Sequence, residues 1–269
     1  MKIFDNRSDI EVQWQKLLKQ EETFLAKKQE KKTLYINQKL EGKVPKGLRG
    51  ALDSGFVKAF AMVFEKGTDF LEKTYDREQL EKEYRMRQYA KCLDQKQGSV
   101  KEIAGQAKKS GTGNLLVSGT VGIGMGLLGM GLPDIPVFVG MILKSIYEIA
   151  IRYGYSYETE MERLFILLII QGALSHGERI KTINEDLNGY ITAGRWEKAL
   201  KVKEEIEHAA KGLSEELLYL KFLQGVPIVG AVGGAYDAVY MRYIVKYAEL
   251  KYRRRYLYDE KLRKGIGNK

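Results

Sequence analysis

Apolar residues recur every three or four positions over much of the chain. Ile10, Trp14, Leu17, Leu18, Phe24 and Leu25 fall on one face of a helix that opens at Ser8-Asp9-Ile10-Glu11, a capping-box pattern. After a break at Gly42, Pro45 and Gly47, the positions Leu48, Leu52, Phe56, Ala59, Phe60 and Val63 repeat the spacing and predict a helix over 48–66. The charged stretch 76–93 is rich in strong helix formers, and Ser99-Val100-Lys101-Glu102 predicts the start of a short helix. No segment shows a sustained period-two run of β-branched residues, so almost no sheet is expected. Only four prolines interrupt the chain, which favours long helices. The fold class predicted is all-α, a multi-helix bundle.

The middle of the chain differs in kind. Residues 110–133 hold eight glycines and no charge; Asp134 follows, and a helix is expected from Ile135 to Arg152. Residues 164–170 are apolar without interruption, and 222–236 form a second uncharged, glycine-containing stretch. Glycine costs about 1 kcal/mol in a helix interior relative to alanine, so such clusters need a reason, and close backbone approach is the usual one. Ser118, Gly122 and Gly126, and later Gly230 and Gly234, repeat at four-residue spacing. Gly122, Gly126, Gly230 and Gly234 are therefore expected at helix-packing or lipid contacts, within two glycine-rich apolar hairpins around 111–152 and 225–250. A spanning helix needs roughly 20 mostly apolar residues. Residues 115–133 reach that length only with six glycines among them, which favours a buried or interfacial hairpin over a span.

From Tyr236 onward, Tyr236, Tyr240, Tyr243, Tyr247, Leu250 and Leu257 alternate by four and three, with Arg254 in the remaining place. This predicts a long helix with an aromatic face, ending in Lys251-Tyr252-Arg253-Arg254-Arg255-Tyr256. Tyrosine beside arginine suits a membrane–water interface, with the ring half immersed and the cation at head groups. On that reading Tyr240, Tyr243 and Tyr247 contact lipid or pack helices, and Arg253, Arg254 and Arg255 meet a membrane surface or anion. A core-facing helix with a solvated basic tail explains the same letters. Base stacking is a weaker alternative, and no nucleic-acid partner is expected.

Charge sharpens this picture. The net charge is +10, but residues 1–50 carry +5 and residues 246–269 carry +6, whereas 110–177 carry −2. Basic ends attract anionic surfaces. The 269 residues, 44% hydrophobic and 30% charged, can bury a sizeable core, which excludes wholesale disorder. Cys92 is the single cysteine, so no internal disulfide forms and a reducing compartment is expected. The opening residues have neither an apolar core nor a cleavage site of a secretory signal, so none is expected.

Chemistry is sparse. Gly124-Met125-Gly126-Leu127-Leu128-Gly129 fits G-x-G-x-x-G, but no strand precedes it and Gly122 and Gly131 extend the periodicity, so a dinucleotide site is not expected. Nothing in the sequence calls for a cofactor or a metal. The two histidines are His176 and His208; Glu204 and His208 share a helical spacing that a solvated face explains. Three carboxylates abut apolar segments: Asp134 between Pro133 and Pro136, Glu148, and Glu162 beside Arg163. Asp134 suits a helix cap, and Glu148 and Glu162 would be satisfied ions beside Lys144 or Arg163. Desolvated instead, Asp134, Glu148 and Glu162 are candidate catalytic acids or bases.

Gly111-Thr112-Gly113, the glycine-rich stretch, Leu132-Pro133-Asp134-Ile135-Pro136, the run from Ile146 to Tyr155, and Glu162-Arg163-Leu164-Phe165 resemble the EcsC family of bacterial proteins. The second glycine-rich element from Pro227 to Ala235, the Trp14 helix and Asn37-Gln38-Lys39 extend the likeness over most of the chain. The resemblance implies a protein linked to an ABC transporter and envelope processes, with no established activity and no added catalytic motif. Together these readings describe N-terminal amphipathic helices (1–109) covering a glycine-rich helical core with a basic C-terminal helix (110–269), in one structural domain. The expected function is that of a cytoplasmic protein, peripheral at the inner face of the cell membrane. It would be an accessory to a transporter or envelope process, with anionic membrane lipids and a membrane transporter as partners. The alternatives are a hydrolase using Asp134 with Glu148 or Glu162, and a lipid carrier with an internal cavity.

Overall fold

The computed structural model describes residues 9–29, 43–66, 69–72, 74–93, 135–224 and 230–265. Every regular element among them is an α-helix. In chain order they are α1 (Asp9–Ala26), α2 (Lys46–Lys66), α3 (Asp69–Glu72), α4 (Arg77–Leu93), α5 (Ile135–Arg152), α6 (Glu160–Leu174), α7 (Gly177–Ala193), α8 (Val202–Gln224) and α9 (Gly230–Arg263). The helices expected from hydrophobic spacing at the N-terminus, over 48–66 and 76–93, from Ile135 to Arg152 and at the C-terminus are all present. The short helix expected at Ser99 lies outside the described residues, as do Gly122, Gly126, Asp134 and the first limb of the glycine-rich hairpin.

Helix α6 is the innermost element. Its apolar run from Leu164 to Ile170 is buried on every side, which an uninterrupted run of apolar letters requires. It packs against α7, α8 and α9, while α2 lies against α8 and α5, and α4 against α5. Helix α9 is the second hub, touching α1, α5, α6, α7 and α8. Phe56, Phe60, Ile142, Ile146, Phe165, Leu213 and Tyr247 belong to one continuous core that joins these layers.

Local signals set the helix ends. Thr159-Glu160-Met161-Glu162 is a capping-box sequence, and Thr159 Oγ1 accepts the Glu162 backbone N–H at 3.2 Å. Helix α7 ends at Gly194 in the left-handed conformation, with the Gly194 N–H donated to the Tyr190 carbonyl. No helix among the described residues is long and apolar enough to cross a membrane.

Candidate functional site

Helix α6 starts with Glu162 in its first turn, and that capping-box position delivers the carboxylate into the interior rather than to solvent. Glu162 is 3% exposed. Its Oε1 accepts the Tyr252 hydroxyl at 2.7 Å and its Oε2 accepts Arg255 Nη1 at 2.7 Å, both from α9. The Arg255 guanidinium lies over the rings of Tyr155, Phe165 and Tyr190, at 4.1, 5.5 and 5.5 Å from their centroids. Trp196 stacks on Tyr190 at 4.2 Å and closes that side. Tyr155 donates its hydroxyl to Asp259 Oδ2 at 2.7 Å. Burial pushes the Tyr155 and Tyr252 hydroxyls well above the ordinary range, reinforced by the carboxylates they face. Burial also opposes the charge of Arg255, but the Glu162 carboxylate outweighs it and holds the guanidinium charged. The assembly is a neutralised ion pair inside an aromatic box. Each Glu162 oxygen accepts a hydrogen bond from α9, so the arrangement holds the two helices together.

Glu148 lies on α5 and is 7% exposed. Lys144, one helical turn earlier, places Nζ 3.9 Å from Glu148 Oε1 and donates to the Thr74 carbonyl at 2.7 Å. Arg163 does not pair with Glu162; its guanidinium lies 5.6 Å from the Phe64 ring centroid. Asp134 lies outside the described residues. Glu204 pairs with Lys201 at 2.6 Å, and His208 faces Glu205 at 3.4 Å, so Glu204 and His208 are drawn to different neighbours. Among the described residues no three His, Cys, Asp or Glu side chains gather as a metal site would need.

The aromatic helix divides along its length. Tyr247 is fully buried, stacked on Phe24 at 5.0 Å, and donates to Asn184 Oδ1 at 3.0 Å. Tyr240 is half-buried, and Tyr243 is 40% exposed with Lys28 Nζ over its ring at 4.3 Å. Gly230 and Gly234 belong to the first turns of α9, and their surroundings lie outside the described residues.

The three arginines expected at an anionic surface point into the molecule. Arg253, 6% exposed, donates to Gln13 Oε1 at 2.7 Å and to Gln20 Oε1 at 3.1 Å. Arg254 pairs with Glu21 and covers the Trp14 ring, and Arg255 is held by Glu162. Neither a solvated tail nor a head-group contact describes them in this conformation. The reason is that partners sit on α1 and α6, which spacing within α9 cannot reveal.

Sequence spacing also missed Lys251, Glu21 and Asn184. Lys251 is fully buried, and its Nζ donates to Glu21 Oε1 at 2.6 Å, Asn184 Oδ1 at 2.5 Å and Asn188 Oδ1 at 2.8 Å. Burial lowers its pKa to about 8, against the pull of Glu21. The signal was present in the positions Tyr247, Lys251, Arg254, Tyr258 and Lys261, which alternate by four and three and line one face of α9. A second polar chain joins Tyr75, Tyr157 and Glu72: Tyr75 donates to the Tyr157 oxygen at 2.9 Å, and Tyr157 to Glu72 Oε1 at 2.6 Å.

A model of the EcsC protein family matches residues 11–257. The chain is similar to the uncharacterised protein YdbA of Bacillus subtilis (strain 168), with 29% identity over 135 residues. That match covers 50% of this chain and 49% of the relative, so the chain spans about half the length of the curated relative it matches. No solved structure matches the chain.

Proposed function

The chain belongs to the EcsC family, and from that premise we propose a non-enzymatic helical accessory protein that works at the inner face of a bacterial cell membrane. Its contact is with anionic lipid, and its physiological setting is a transporter or envelope process. The observation that carries the reading is the outward stripe of α9. Val239, Arg242, Tyr243 and Lys246 recur at helical spacing and are all exposed. Neither Arg242 nor Lys246 has a carboxylate partner among the described residues. An apolar side chain, a tyrosine and two exposed cations on one face make a surface suited to the head-group layer.

The enclosed Glu162 supports the non-enzymatic half. In a hydrolase built on Asp134 with Glu162 the carboxylate would have to reach substrate, and in this fold Tyr252 and Arg255 each hold one of its oxygens. The uncharged run 110–133 supports the lipid half as sequence alone, since it carries no charge over 24 residues.

Flotation of the folded chain on phosphatidylcholine vesicles, with and without phosphatidylglycerol, tests the reading. Binding is expected only to the anionic vesicles, weakened by salt and by the double change Arg242→Glu with Lys246→Glu. A folded chain that floats with neither vesicle at low salt refutes the lipid contact.

A further inference from the structure

Helix α1 is bound to α9 in an unusual way. Its buried residues are Ile10, Gln13, Leu17, Glu21 and Phe24, so the apolar seam contains one residue per two turns and polar side chains fill the gaps. These polar residues, with the half-buried Glu11 and Gln20, meet the cations of α9. Glu21 takes Lys251 and Arg254, Gln13 and Gln20 take Arg253, and Glu11 takes Lys261 at 3.1 Å. Trp14 lies under both Arg254 and Lys261, at 5.1 and 5.0 Å from its ring centroid. Four cations of one basic helix are thus neutralised or capped by a single neighbour.

The attachment is one-sided. A shallow groove of about 490 Å³, lined by Leu18, Glu21, Leu25, Gln29 and Lys181, separates α1 from α7 along part of its length. The C-terminal end of α1 is pinned by the Phe24–Tyr247 stack and by the Gly177 N–H, donated to the Lys28 carbonyl at 2.9 Å. Ile10 and Leu17 are also buried along the seam, but the contacts α1 makes to the cations of α9 are polar, and an anionic surface offers groups of the same kind: oxygens for Lys251, Arg253, Arg254 and Lys261.

We propose that α1 is a displaceable cover over the basic face of α9, released when anionic phospholipid head groups take the place of Glu21, Glu11 and the two glutamines. The proposal rests on the membrane reading above and adds its regulation. The outward stripe of Val239, Arg242, Tyr243 and Lys246 makes first contact, and displacement of α1 extends the same helix's cationic surface toward its C-terminus. The Arg255–Glu162 pair faces α6 and stays closed throughout, so the body of the bundle is preserved.

Amide hydrogen exchange of the full chain decides it. On phosphatidylglycerol-containing vesicles, amides of residues 10–24 lose protection while those of α6 keep theirs; on phosphatidylcholine alone nothing changes. Glu21→Gln, which frees two cations from their carboxylate, binds anionic vesicles about tenfold or more tightly than the parent chain. Flotation with α1 still fully protected overturns the cover and leaves the membrane reading standing. Failure of the parent chain and of Glu21→Gln alike to float removes both. Should Glu21→Gln fail to fold, exchange in the parent chain alone decides the matter.

Discussion

The ring of Tyr247 occupies the space that a side chain on residue 172 would need. A β-carbon built at Gly172 comes within 2.6 Å of Tyr247 Cε1, a contact that packed atoms do not sustain, and within a tight 3.1 Å of Ile183 Cγ2. Gly172 thereby sets how closely α9 approaches α6. Tyr247 is itself fully buried and stacked on Phe24, so its ring has nowhere to move. Gly172→Ala is expected to cost about 1–3 kcal/mol as overpacking, measured by urea unfolding. Combining it with Tyr247→Leu should return part of that loss relative to Tyr247→Leu alone, because the cost belongs to the pair.

Gly154 needs its glycine for a different reason. Its φ is +86°, and a β-carbon would lie 2.2 Å from Tyr84 Cζ. Tyr84 is only half-buried, so its ring can swing toward solvent, but the backbone strain remains. Gly154→Ala is expected to cost about 1–2 kcal/mol. Here Tyr84→Ala in the same chain should not rescue it, which thermal unfolding of the single and double variants will read.

The glycines expected at close helix approaches, or their surroundings, lie outside the described residues, and the close approach found is at Gly172. Small residues were expected to let helices touch, and Gly172 does so. It stands within a run of apolar letters rather than in a four-residue glycine repeat, so periodicity did not single it out. The helices themselves were readable because their apolar spacing is regular, and α5 came out from Ile135 to Arg152 as predicted. The buried ion pairs were not. Glu162 and Arg255 lie 93 residues apart, and Glu21 and Lys251 lie 230 apart. A charge at an apolar boundary shows that a partner is required without showing which helix supplies it. The same gap explains the arginines of α9: their letters suited a surface equally well, and only the placement of α1 and α6 drew them inward.

Glu162→Gln separates a structural carboxylate from a spare one. The change keeps the shape but leaves Arg255 among Tyr155, Phe165 and Tyr190 without its counter-charge. Breaking one member of a buried pair strands the other, so a loss of about 3–5 kcal/mol is expected. Tyr252→Phe removes one hydroxyl donor and leaves the ion pair, for an expected loss of about 1 kcal/mol. Denaturant melts of both variants give the ratio, and equal losses would show that the charge contributes little.

Alkaline titration should proceed in two opposed stages. Tyrosines 75, 147, 153, 155, 157, 190, 247, 252 and 256 are all raised above the ordinary value of 10, chiefly by burial, with Tyr75 and Tyr256 at about 12. A raised tyrosine keeps its proton in the folded chain after the unfolded chain has lost it. Stability from these groups is therefore complete below pH 10 and is lost as pH climbs from there toward their folded values. Lys251 works in the other direction. Its pKa falls from 10.5 unfolded to about 8 folded, so between those values the unfolded chain binds more protons and stability rises with pH. The expected profile is a shallow gain from about pH 8 toward pH 10, then a steep fall accompanied by abrupt appearance of tyrosinate absorbance. Lys251→Met should abolish the gain and leave the fall. Gradual ionisation of all tyrosines near pH 10 without unfolding would show that those hydroxyls are open to solvent.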